Sequence, residues 1–167
     1  MIQSALAQYL FEKLIVAIPR RLARVLLSLE RVASQVVIDL GSANPIDISF
    51  GSSVPNITIS FRISNMSPGD LQLDRLLVDL WIGQPTLQAA ILHIHKIPRR
   101  EEKELYLKAQ LSGAQQGQIR REVRNGFLPR LTIYVDTYLA SKVGMVHMRK
   151  HFERSDVVCK LPSAPSP

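Results

Sequence analysis

The sequence predicts a mostly β protein: an antiparallel β-sandwich with one short inserted helix, preceded by an N-terminal helical arm. Three observations lead there. Ile57, Ile59, Phe61 and Ile63 alternate with Thr58, Ser60, Arg62 and Ser64, placing one apolar edge on a core and one polar edge in water. Turn clusters at 41–45, 51–55, 65–70 and 83–85 cut the chain into strand-length pieces. Helical spacing is confined to residues 1–35 and 113–126.

The arm comes first. Residues 2–18 are apolar almost all round, with Ser4, Gln8 and Glu12 as the one polar stripe, and Pro19 interrupts them. Seventeen helical residues reach roughly 25 Å, short of the roughly 30 Å hydrocarbon core of a bilayer, and Glu12 and Lys13 lie inside the segment. A transmembrane span is therefore not the first choice. From Arg20 to Gln35, Leu22, Val25, Leu26, Leu29, Val32 and Ala33 repeat at helical spacing, with Arg21, Arg24, Ser28 and Arg31 opposite. A basic amphipathic helix of this kind suits a membrane interface or a partner helix. Packing on the sandwich and self-association as a helical hairpin are the plainer alternatives. The expected units are an arm over 1–35, a sandwich over 36–161 and a polar, proline-ending tail over 162–167.

The strands follow in order. The β-branched run 36–40 leans toward strand, and Ile46, Ile48 and Phe50 alternate as a short one. After the Ile57 strand, Leu71 and Leu73 keep one phase while Leu76, Val78, Leu80 and Ile82 keep the other, which predicts a bulge near Asp74-Arg75. A strand over Leu87 to His95 and a charged connection at 97–102 come next. Leu105, Leu107, Ala109 and Leu111 alternate again. Ile119, Val123 and Phe127, four apart, form the thin apolar stripe of a short helix that Gly126 closes. Two strands, one through Leu131, Ile133 and Val135 and one from Val143 to His151, precede a final edge strand over 156–161.

This order of elements resembles the LEA14-like domain, the water-stress and hypersensitive-response (WHy) module of late embryogenesis abundant group 2. Its strand ending in Asn-Pro corresponds here to Ile63-Ser-Asn65-Met-Ser-Pro68, with two residues inserted, and the strand 105–111, the helix after it and 131–148 match in order. The resemblance covers about residues 35–161. It implies an immunoglobulin/fibronectin-III-like sandwich and a non-enzymatic role in stress protection or in binding lipid, membrane or protein surfaces. It also implies tethering through an N-terminal segment, which residues 2–33 suit, and it offers no catalytic residues to carry across.

Composition bounds the chemistry. The chain has 167 residues, 46% hydrophobic, enough for one domain with a sizeable core and an appendage. A net charge of +7 favours an anionic partner. Only 6% aromatics argues against a base-stacking platform, so nucleic acid is not expected. Cys159 is the sole cysteine, which precludes an internal disulfide and makes a reducing, cytoplasmic setting the simplest one. Residues 1–9 lack the basic stretch of a cleavable signal, the first basic residue being Lys13.

His93 and His95, on one strand face, would need His147 and His151 to make a zinc site, and surface histidines are the better reading. Asp70, Asp74 and Asp79 are scattered, no Gly-x-Ser-x-Gly elbow, P-loop or dinucleotide fingerprint occurs, and Cys159 lacks a local activating motif. No cofactor, metal or catalytic residue is therefore expected. Basic clusters remain at Arg20/Arg21/Arg24, Arg99/Arg100, Arg120/Arg121/Arg124 and Arg149/Lys150/Arg154, the second facing Glu101, Glu102 and Glu104.

The expected function is a membrane-associated or scaffold protein. Leu22, Val25, Leu29 and Val32 would insert or pack, and Arg20, Arg21, Arg24 and Arg31 would meet lipid phosphates. The alternative is a soluble interaction subunit that binds a protein partner, or forms a homo-oligomer, through the same arm.

Overall fold

The computed structural model describes residues 19, 27–41, 46–50, 54–82, 86–125, 130–154 and 157–160. Its elements are a helix α1 (Leu29–Ala33), strands β1 (Val36–Leu40), β2 (Ile46–Ser49), β3 (Asn56–Asn65), β4 (Leu71–Trp81), β5 (Thr86–Ile91), β6 (His95–Ile97) and β7 (Glu101–Gln110), a helix α2 (Gly113–Arg124), then β8 (Leu131–Ser141), β9 (Gly144–Arg154) and β10 (Val158–Lys160).

Two sheets, each built on one long strand, form a β-sandwich. In the first, β3 pairs with β7 along its whole length on one edge; on the other, β1 covers residues 61–65 and β2 covers 56–59, end to end. In the second, β4 pairs with β8 on one edge and with β5 and β6 end to end on the other, while β9 pairs with β8. The pairing is antiparallel throughout except for β10, which runs parallel to β2. The final edge strand expected over 156–161 is thus present but shorter, and it runs in the same sense as its neighbour.

The alternation read from the sequence becomes the core. Ile57, Ile59, Phe61 and Ile63 of β3 are fully buried and face Leu71, Leu73, Leu76, Val78 and Leu80 of β4 within one apolar cluster. The phase change in β4 is a bulge: Leu73 pairs with Leu139 and Arg75 with Tyr138, leaving Asp74 as the extra residue. Gly41 marks the seam between β1 and β2. Its N–H donates to the Ser60 carbonyl at 2.8 Å, and a Cβ there would collide with the Ser60 side chain.

Two expectations are corrected. The strand expected from Leu87 to His95 is split, because Leu92 and Ile94 turn out into solvent between β5 and β6, 67% and 65% exposed. The amphipathic helix expected over 20–35 is not one helix. Ser28 has extended backbone (φ −79°, ψ 154°) and its hydroxyl accepts the Arg31 N–H at 3.1 Å, so it caps α1 as a five-residue helix that begins only at Leu29. The apolar spacing continues through this break, so periodicity alone does not reveal it.

The expected inserted helix is α2. Ser112 and Gln115 form a reciprocal capping box at its start, Ile119 is fully buried, and Asn125 caps its end. The closing Gly126 and the apolar Phe127 lie outside the described residues.

Candidate interaction surface at the N-terminal end of the sandwich

Four segments meet where the described chain begins: α1, the loop 66–70, the turn 98–100 and the two-residue turn Lys142-Val143. Asn65, fully buried, organises the loops. Its Nδ2 donates to the carbonyls of Gly69 (3.0 Å), Ile97 (3.0 Å) and Pro98 (3.1 Å). Its Oδ1 accepts the Ser67 N–H at 3.0 Å and the Ser67 hydroxyl at 2.6 Å. The Asn65 carbonyl accepts the Arg100 N–H, and the Met66 N–H donates to the Gln35 carbonyl, which ties the loop to the chain leaving α1. Asn65 thus satisfies carbonyls from two loops at once, the bond to Ile97 being fully buried.

Leu27 and Val32 anchor the arm to this platform. Both are buried in the core, in a crevice between Ser67–Leu71 and Ser141–Val143. Leu29 packs one side against Gly144, whose positive φ and lack of a Cβ both suit the contact, yet it stays 42% exposed. Met66 and Met145 are also exposed at this end, as are Arg31 and Arg100. Lys96 and Lys142 line a shallow groove there with Gln72 and Ile94.

Asp70 is the acidic counterpart. It pairs with the Lys96 ammonium at 2.9 Å and accepts the Arg99 N–H at 3.1 Å. The Lys96 hydrogen bond, helped by the Arg99 N–H and opposed by partial burial, holds the Asp70 carboxyl below its ordinary 3.8. The same bond raises the Lys96 ammonium above 10.5.

Of the residues expected to contact lipid or a partner, Leu29 and Arg31 are exposed on this end. Val32 is not available: it is 3% exposed and fills the core. Arg20, Arg21, Leu22, Arg24 and Val25 lie outside the described residues.

The remaining candidates do not assemble. His93 sits at a bend and His95 begins β6, so they do not share a strand, while His147 and His151 lie on β9. No group of three His, Cys, Asp or Glu fit for a metal occurs among the described residues. Burial, then the nearby Asp47 charge, pushes the Cys159 thiol up, away from the reactive thiolate. Arg120 spends its guanidinium over the Phe50 ring, 5.0 Å from the centroid.

One constellation escaped the sequence reading. On the outer face of the second sheet Tyr138 stacks on His147 (centroids 4.5 Å, 13°) and Tyr134 on His151 (4.8 Å, 15°). Arg75 lies 4.2 Å over Tyr138 and Arg149 lies 5.6 Å from the Tyr134 centroid. Asp136 between them accepts from His147 at 2.7 Å and faces Arg149 at 3.8 Å. The signal was present: two tyrosines four apart and two histidines four apart, on strands joined by a tight turn.

Fold and surface together define a β-sandwich with an apolar and basic end. No described helix is long and apolar enough to cross a membrane. No protein-family profile matches the chain, and no curated protein matches its sequence. Among solved structures it is similar to a protein of Arabidopsis thaliana, with a TM-score of 0.51 and 8% identity over 77% of this chain and 87% of that one. It is also similar to the structural-genomics target SoR45, with a TM-score of 0.50 and 11% identity over 74% of this chain and 87% of that one. A protein provisionally described as late embryogenesis abundant aligns at a TM-score of 0.34 and 7% identity, over 87% of this chain and 90% of that one, too loosely to bear on the fold. At these identities the likeness is one of fold alone.

Proposed function

We propose that this chain is a non-enzymatic binding module that docks on an anionic membrane surface through its N-terminal arm and the end of the sandwich that anchors it. The observation that carries the reading is the contrast across α1. Leu27 and Val32 are clamped in the core, while Leu29, Arg31 and Met66 beside them face outward. The sequence before this root, with Leu22, Val25, Arg20, Arg21 and Arg24, has the same apolar and basic character as that surface, which supports reading the two as one docking element. The order of the strands and the single helix between β7 and β8 support a LEA14-like, fibronectin-III-like assignment, and with it a role in stress protection.

Co-sedimentation with vesicles tests this. The full chain should pellet with vesicles containing anionic lipid and much less with neutral ones, because each basic residue near such a surface contributes about 1 kcal/mol. Deleting residues 1–26, which spares Leu27 and Val32, or reversing Arg20, Arg21 and Arg24 to Glu should abolish pelleting. Equal binding to neutral and anionic vesicles, or binding indifferent to both changes, would refute the reading. An oligomer lost on the same deletion, with no vesicle binding, would favour the partner-binding alternative.

A further inference from the structure

We infer that the outer face of the second sheet is a self-complementary docking surface for a second copy of this chain. The face consists of alternate residues of β4, β8 and β9, and the register sets them in rows. Asp79, Tyr134 and His151 form one row, Leu77, Asp136 and Arg149 the next, and Arg75, Tyr138 and His147 the third. Leu77, Trp81 and Met145 are exposed on it, 38%, 42% and 48%. The tyrosines are already held by their stacks, so ordering them on contact costs little. Trp, Tyr, Met and Arg are the residue types that concentrate binding energy at protein interfaces.

Three observations select a second copy as the occupant. The chain carries +7 overall, so two copies repel each other across most orientations. This face escapes that repulsion, because Arg75 and Arg149 are set against Asp79, Asp136 and Glu153. The order along β4 is cation, apolar, anion: Arg75, Leu77, Asp79. Read backwards it is its own complement. A two-fold axis at the level of Leu77 lays Arg75 of one copy on Asp79 of the other, twice, with Leu77 on Leu77 and Tyr134 opposite Tyr138. Asp136 falls near that axis, and each copy already holds its own with a hydrogen bond to His147 at 2.7 Å and the Arg149 guanidinium at 3.8 Å. Finally, three long strands span on the order of 600 Å² per copy, which reaches the lower end of specific interfaces, about 1,200 Å² in total.

Sedimentation velocity on the full chain, from low to high micromolar concentration, tests this. A species of twice 18.8 kDa is expected. Asp79→Arg or Arg75→Asp alone should weaken it by about tenfold or more, since each sets like charges face to face. The two reversals together should restore it. Leu77→Lys, at an exposed position that a folded monomer tolerates, should dissociate the dimer if either reversal disturbs folding. Leu22→Asp with Val25→Asp in the arm should leave it intact. A monomer at every concentration, a dimer that Leu77→Lys and both single reversals leave unchanged, a double reversal that fails to recover, or a dimer abolished by the arm substitutions overturns the proposal.

Discussion

At the scale of single residues, Asn65 carries the most. One amide stands in for the partners of three carbonyls, one backbone N–H and one hydroxyl. Asn65→Ala strips the Ile97 and Pro98 carbonyls and the Ser67 N–H of this partner, while the Gly69 carbonyl keeps the Ser67 hydroxyl at 2.9 Å, and we expect a stability loss of about 2–4 kcal/mol by chemical denaturation. Asn65→Asp should lose a similar amount, because a carboxylate cannot donate to the Gly69, Ile97 and Pro98 carbonyls. A loss below about 0.5 kcal/mol for both would mean that the network does not hold the loops. Thr137 shows the converse. Its hydroxyl is buried within β8 without a hydrogen-bond partner, so it supplies shape to the core and a polar cost with it.

At the scale of elements, α1 separates two roles that one amphipathic stripe had merged. Val32→Asp puts an unpaired carboxylate in the core and should cost more than about 3 kcal/mol, whereas Leu29→Asp on the exposed side should cost about 1 kcal/mol or less. Thermal or chemical melts of the two variants distinguish them, and equal losses would contradict the clamp. This is also where the reach of the sequence ends. Alternation at Ile57–Ile63 and the phase change at Asp74 are local, and both were legible. The break at Ser28 was not, because an N-cap serine inside an unbroken 3.6-residue apolar rhythm looks like one more polar-face residue. The split between β5 and β6 was hidden by Leu92 and Ile94, apolar residues that spacing alone assigns to a core. The partners of Asn65 lie more than thirty residues away at Ile97 and Pro98, beyond any pattern in a window. The Tyr–His stacks depend on the register of β8 and β9, which becomes visible only once the Lys142-Val143 turn fixes it.

At the scale of the whole molecule, the two sheets share a plan. Each has a single partner strand on one edge of its long strand, continuous in the first sheet and bulged at Asp74 in the second, and a divided pair of strands on the other. The division falls at Ser60 in the first sheet, bridged by the Gly41 N–H, and at Asp74 in the second. A divided edge opens in halves, so each half is released for the loss of a few backbone bonds, while the long strands separate only when everything does. Amide exchange should therefore be slowest in β3, β4 and β8 and faster by at least about tenfold in β1, β2, β5 and β6, since 1.4 kcal/mol already gives that ratio. Uniform exchange across both sheets would contradict it. The molecule behaves like two spines with detachable slats: thermal breathing is channelled to the flanks, and the strand that carries Arg75, Leu77 and Asp79 stays still while the two short strands on its divided edge come and go.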